Sequence, residues 1–223
     1  MALTDEAILR IKEMILSGQL KPGDRLPSEA TLADELGLSR NSLREAVRAL
    51  SLMNVLDVRQ GDGTYVTSLD PDLLLDALTF VVDFHRDDSI LEFLRVRRIL
   101  EPAAASMAAL RMDDAEIEVL GKIVSSSFPD SSPEELLARD IEFHRHIGLG
   151  SGNSVLASLL EGLSAPTNRA RMWRGRTQTG AQERTVSEHR AIYDAIAAHE
   201  PDLALSAMVV HVAGVENWLR LAT

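Results

Sequence analysis

The sequence has no cysteine among its 223 residues. Disulfides and thiolate metal sites are excluded, so any metal would have to be held by imidazole and carboxylate. It also lacks an apolar run of the roughly 18 to 20 residues that cross a bilayer. Asp5 and Glu6 interrupt the stretch from Met1 to Leu9, which reads as neither signal peptide nor anchor. These absences lead us to expect a cytoplasmic protein with no membrane partner. Positive charge is scarce as well, with a formal net charge of -11. The deficit is uneven: residues 1–66 carry 8 Lys+Arg against 10 Asp+Glu, and residues 67–223 carry 15 against 24. A polyanionic partner would therefore have to be held by individually placed arginines in the first part. What remains is an ordinary globular composition, 45% hydrophobic and 26% charged, long enough for two modest domains.

Turn chemistry concentrates early, at Lys21-Pro22-Gly23-Asp24 and Gly61-Asp62-Gly63. Before the first turn, Ile8, Ile11 and Met14/Ile15 recur at helical spacing. After it, Ser28 can cap a short helix with Leu32 and Leu36 inward, and Gly37 is placed to end it in a left-handed conformation. Ser39 can cap the next helix, whose apolar stripe Leu43, Val47, Leu50 turns Arg40, Asn41, Arg44 and Arg48 outward. The β-branched segments Val55 to Arg59 and Thr64 to Thr67 flank a glycine turn and read as a hairpin. Helix, helix, turn, helix, hairpin is the order of a winged helix-turn-helix.

A recognition helix presents its N-terminal turn to base edges. Here that turn holds Ser39, Arg40, Asn41 and Ser42. Arg40 can make bidentate contacts to guanine and Asn41 can read adenine. The hydroxyls of Ser39 and Ser42, with Arg44 one turn on, can reach phosphates. On an isolated helix the same residues would be a cap and a solvated face; the flanking helix and the glycine hairpin favour the DNA reading.

Residues 68–71 read as a linker, which divides the chain into a DNA-binding domain over 1–67 and an all-helical domain over 72–223. The fold class is mainly α, with six or seven helices in the second domain. They are expected near 72–84, 89–111, 113–126, 133–149, 153–174, 182–199 and 201–221. Asp140 and His144 stand four apart on one apolar stripe, His189 is in line with Ile192 and Ile196, and His211 with Met208, Val215 and Trp218. Four polar groups facing a core need partners, since each unpaired one costs about 1–3 kcal/mol. Ligation of one divalent ion would satisfy all four; separate hydrogen bonds in the core are the alternative. Three imidazoles and one carboxylate suit Zn first, with Ni, Mn or Fe as alternatives. By contrast His85, His146 and His199 lie off these stripes or at helix ends.

The motifs Pro27-Ser28-Glu29, Leu36-Gly37-Leu38-Ser39-Arg40, Leu43-Arg44-Glu45-Ala46 and Arg59-Gln60-Gly61-Asp62-Gly63-Thr64-Tyr65-Val66 resemble the signature of GntR-family transcriptional regulators. That resemblance implies base and phosphate contacts at Ser39, Arg40, Asn41, Ser42 and Arg44, and a wing entering the minor groove at Gly61 and Gly63. Ala30 and Asp62 depart from it, each standing where the family often has a basic residue, which implies weak or strongly salt-dependent binding. Further on, Leu94 to Ala103, Asp140-x-x-Phe143-His144, Ser151-Gly152-Asn153, His189-x-x-Ile192 and Ala207-Met208-x-x-His211 resemble the FCD ligand-binding domain of the family's FadR branch. In metal-dependent members an aspartate and three histidines hold the ion, and those roles fall on Asp140, His144, His189 and His211. The resemblance also implies a small carboxylate or sugar-acid effector. Arg97 is the first candidate to hold it, with Arg171 and Arg169 behind. Trp173 and Trp218 are candidates for the core or for the cavity wall.

The function expected is that of an effector-controlled regulator, a repressor acting as a homodimer on a pseudo-palindromic operator, because two half-sites require two-fold symmetry. Two other readings use the same four ligands. One is a metal-dependent hydrolase or lyase. It would need a general base, and Glu142 and Glu188 are expected to point off the ligand face, so the chain is not expected to be an enzyme. The other is a regulator for which the metal itself is the signal.

Overall fold

The computed structural model describes residues 3–69 and 90–222. The chain divides into two compact units, Met1–Leu73 and Leu74–Thr223. The helix expected at 72–84, part of the linker expected at 68–71, and His85 lie outside the described residues.

In the first unit α1 (Leu3–Leu16) buries Ala7, Ile11 and Met14. Next, α2 (Glu29–Leu36) is capped by Ser28, whose side chain accepts from the Thr31 amide, and Gly37 closes it at φ 66 in the left-handed region. Ser39 then caps α3 (Arg40–Leu52) by accepting from the Ser42 amide at 3.0 Å. Leu43, Ala46, Val47 and Leu50 turn inward and join Ile11, Leu32 and Leu56 in one core. β1 (Leu56–Arg59) and β2 (Gly63–Val66) form an antiparallel hairpin in the register Leu56↔Val66 to Arg59↔Gly63. Its base is anchored by Leu56 and Val66, which are buried, while the tip stays exposed. A bridge from Arg25 to Tyr65 extends this wing by one short strand-like segment that the turn signals alone did not reveal.

The described part of the second unit is all helix: α4 (Ile90–Arg111), α5 (Asp114–Ser125), α6 (Pro133–Gly150), α7 (Ser154–Thr177), α8 (Ala181–Ala197) and α9 (Pro201–Ala222). α4 and α9 pack most extensively, and α6 lies between α4, α5 and α7. Ala104, Ala105, Ala108 and Ala109 on α4 let its neighbours approach closely around Phe143, Ile147, Ile192, Ile196 and Met208. Capping boxes at Asp113/Glu116 and Ser132/Glu135 fix the starts of α5 and α6. Two ends differ from expectation. Helix α7 runs on through Gly175 to Thr177, and α8 stops at Ala197 because His199 takes a positive φ of 54 before Pro201 starts α9.

Candidate functional sites: a winged helix and a buried Asp/His3 cluster

The first turn of α3 carries the residues expected to read DNA. Arg40 and Asn41 are exposed, as are Ser39 and Arg44. Ser42 is not: it is buried, and its hydroxyl lies 2.8 Å from that of Ser39, so it is spent within the cap. Arg44 is engaged by Glu29 of α2 at 3.1 Å and would have to leave that carboxylate to reach a phosphate. At the wing Gly61 has φ 79, and Gly63 leaves room for Arg25, whose Nε would lie 2.5 Å from any Cβ there. Arg25 also donates to the Asp62 carbonyl. This exposed guanidinium sets a positive charge beside Asp62, 37 residues away in sequence, which is why a linear reading missed it.

In the second unit, the i,i+4 spacing on α6 puts Asp140 and His144 on one face, toward which α8 brings His189 and α9 brings His211. All four are buried, and one ligand atom of each lies within 4.8 Å of the others. The contacts are closer than that bound. His211 Nε2 stands 3.2 Å from His144 Nε2 and 3.3 Å from His189 Nε2. Asp140 Oδ1 stands 3.6 Å from His144 Nε2 and 3.3 Å from His189 Nε2. Bonds of about 2.0–2.1 Å at tetrahedral angles separate ligand atoms by about 3.3–3.4 Å, so these edges fit one divalent ion. Hydrogen bonds alone leave one of these contacts without a proton to share, because His211 Nε2 has a single lone pair and faces two other Nε2 atoms.

Groups behind the imidazoles set their orientation. Glu188, expected to point off the ligand face, accepts from His211 Nδ1 at 2.9 Å through Oε2 and so stands behind that imidazole, outside the set of four. Glu142, by contrast, lies 3.7 Å from His146, outside the cluster. Glu101 Oε2 lies 2.7 Å from His144 Nδ1, and Glu101 also pairs with Arg97. Phe143 stacks on His189, centroids 4.1 Å apart. With Nδ1 of His144 and His211 turned to carboxylates, their Nε2 atoms are left toward the shared point.

Burial shapes the charges. It pushes His189 down to about 3 and His211 down as well, keeping both imidazoles neutral and able to ligate. Burial would push Asp140 up, but the Arg171 guanidinium, with His144 and His189, outweighs it and holds the carboxyl well below its usual range. Burial likewise opposes a charge on His144, yet Glu101 and Asp140 prevail and raise it.

Two clefts adjoin the cluster. One, a cavity of about 40 Å³ that opens to solvent, is lined by Asp140, Arg171, Arg174, Thr185 and His211. The other, also of about 40 Å³, is lined by Arg97, Glu101, His144 and Ser164. The candidate arginines separate accordingly. Arg171 reaches Asp140, Ser164 and Asn168 and stands in the first cleft. Arg97 is buried and committed to Glu101 and Thr167. Arg169 is exposed and lines neither cleft. Arg174, which the sequence reading passed over, is buried beside Arg171. Trp173 and Trp218 meet edge to face at 4.8 Å and line neither cleft.

A winged helix-turn-helix with an exposed recognition turn, coupled in one chain to a helical unit with a buried Asp/His3 cluster beside a cleft, defines the class of DNA-binding transcriptional regulators. The chain belongs to the GntR family of bacterial regulatory proteins, which residues 3–66 match, and residues 92–214 match the FCD domain. It is 32% identical to the HTH-type transcriptional regulator LutR of Bacillus subtilis over 212 residues, 92% of this chain and 96% of that protein. It is 27% identical to the galactonate operon transcriptional repressor of Escherichia coli over 226 residues, 99% and 98% of the two chains. The solved structure of Streptococcus agalactiae GntR superposes with a TM-score of 0.72 at 28% identity, covering 96% of this chain and 99% of that one. These relatives are named as regulators and not as enzymes. None of the described helices is long and apolar enough to cross a membrane.

Proposed function

We propose that this regulator is a homodimeric repressor whose hold on operator DNA is set by a small carboxylate or sugar acid bound at a metal centre formed by Asp140, His144, His189 and His211. The observation that carries the reading is the convergence of three Nε2 atoms and one carboxylate oxygen, with neighbouring atoms 3.2 to 3.6 Å apart, in a buried place. A bound Zn, or Ni, Mn or Fe in its place, would supply a Lewis-acidic position for a carboxylate and its neighbouring hydroxyl. Asp140 divides its oxygens, Oδ1 toward the imidazoles and Oδ2 to Arg171, so the ligand carboxylate and the cation that steadies it are set side by side. Glu101 and Glu188 hold two imidazoles in register. Arg171, which lines the first cleft beside Asp140, is the arginine placed to hold the effector there, while Arg97 pairs with Glu101 and Thr167 at the second cleft.

In the first unit Arg40 and Asn41 read base edges, Ser39 and Arg44 reach phosphates, and Gly61 and Gly63 let the wing approach the minor groove. Effector binding favours one packing of the helical unit in each protomer, and with it one spacing of the paired winged units against two half-sites. The name of the galactonate operon transcriptional repressor, similar over nearly the whole chain, supports repression as the reading.

The test is a titration of operator binding with organic and sugar acids at constant bound metal. An acid that changes operator affinity in the metal-loaded protein and not after chelation is the expected result. An affinity that follows the metal concentration and ignores every acid would make the metal the signal instead.

A further inference from the structure

Arg174 and Arg171 share the first cleft, Arg174 buried and the Arg171 side chain 6% exposed, and each keeps a buried nitrogen without a hydrogen-bond partner: Nη2 of Arg174 and Nε of Arg171. Two orphaned guanidinium donors lining one cleft are unusual, since buried donors are nearly always paired. Arg174 Nε is already used by Gln178 at 2.7 Å, which fixes the side chain while leaving its fork end uncommitted. Charge points the same way. Arg171 and Arg174 are offset by Asp140 and Glu188, and Arg97 is offset by Glu101, so these groups sum to zero, and the exposed Arg184 adds positive charge near Arg174. A divalent ion at the Asp/His3 cluster then leaves at least two positive charges beside the cleft, and a monocarboxylate would neutralise only one.

We infer that the effector is a dianion, a short dicarboxylate whose first carboxylate sits at the Asp/His3 cluster and whose second is held by Arg174, with Arg171 Nε between them. This rests on the metal-centre reading above and narrows it from acids in general to those with two anionic groups. Arg174 is then the residue that sets specificity, because a guanidinium fork matches a carboxylate edge that a monoacid does not offer.

The experiment is isothermal titration of the full-length, zinc-loaded chain with matched pairs of acids. Malate is compared with 2-hydroxybutyrate, succinate with butyrate, and 2-oxoglutarate with 2-oxopentanoate. At least one diacid is expected to bind ten-fold or more tightly than its monoacid partner. Arg174→Gln should reduce that ratio to about three-fold or less, and Arg174→Lys should restore part of it. Bound zinc is measured on every sample, which separates a lost ligand from a lost metal site or a misfolded chain. If no diacid exceeds its partner in zinc-loaded protein, or if Arg174→Gln leaves the ratio intact, the inference is overturned while the metal reading stands. If the wild-type chain retains no zinc, both fall together.

Discussion

Replacing Glu188 by glutamine tests whether the groups behind the imidazoles matter. Glu188 Oε2 accepts the His211 Nδ1 proton at 2.9 Å, which leaves the lone pair of Nε2 facing His144 and His189. Glutamine keeps the size and one acceptor oxygen but removes the charge that makes the imidazole a stronger donor to a cation. Loss of such an outer partner typically weakens metal binding by about 10- to 100-fold, or about 1.4–2.7 kcal/mol. Because the Glu188 side chain is only partly buried, at 16% exposure, the metal-free fold should tolerate the change. The assay is competition for zinc against a fluorescent chelator at fixed pH, with the melting temperature of metal-free protein as the control. A drop of one to two decades in affinity with the metal-free melting temperature nearly unchanged is expected. Wild-type affinity in the variant would refute the reasoning, since the hydrogen bond would then have no part in presenting Nε2.

Other changes reach different parts of the molecule. Arg40→Ala, at an exposed position, should weaken specific operator binding by about 1–3 kcal/mol at fixed salt without moving the melting temperature; an unchanged gel-shift midpoint would remove Arg40 from the base contacts. Phe143→Ala empties a fully buried place beside His189 and should cost about 3–5 kcal/mol in urea unfolding; a cost below 1 kcal/mol would mean that the ring does not pack as described. For metal-free protein, the pH dependence has a definite sign. His189, lowered to about 3 from 6.5, takes up its proton more readily unfolded, so its contribution is lost as pH falls from 6.5, by roughly 3 kcal/mol at pH 4. The depressed His211 adds to that loss. His144, raised in the fold, contributes stability below 6.5 that is lost as pH rises through its folded value, and Asp140, lowered, contributes above its usual range and loses it only in stronger acid. Thermal melts of chelated protein from pH 7 to 4 should show the net decline; a flat profile would contradict the burial argument.

The features legible in the sequence are those carried by local chemistry. Ser28, Gly37 and Ser39 announce their helix ends because a cap is made within three or four residues. The cluster histidines announce themselves because each interrupts an apolar helical stripe, a contradiction visible on one helix at a time. What the sequence hid depends on which helices meet. Glu101 contacts His144 only because α4 packs on α6, and Arg25 meets Asp62 only when the wing folds back. Arg174 looked like one of several arginines near the end of α7, and nothing local marks it as buried. Helical spacing placed Glu188 off the stripe of His189, correctly for its own helix, but could not say that α9 would bring His211 to it.

The account turns on an ion at the meeting point of α6, α8 and α9. Its most direct test is anomalous scattering at the zinc edge from crystals of protein prepared with excess zinc and then dialysed, with metal content measured on the same batch. The account predicts one peak per chain, within bonding distance of Asp140 Oδ1 and the Nε2 atoms of His144, His189 and His211. Absence of a peak there, or zinc found only at histidines outside the cluster such as His146, would contradict it.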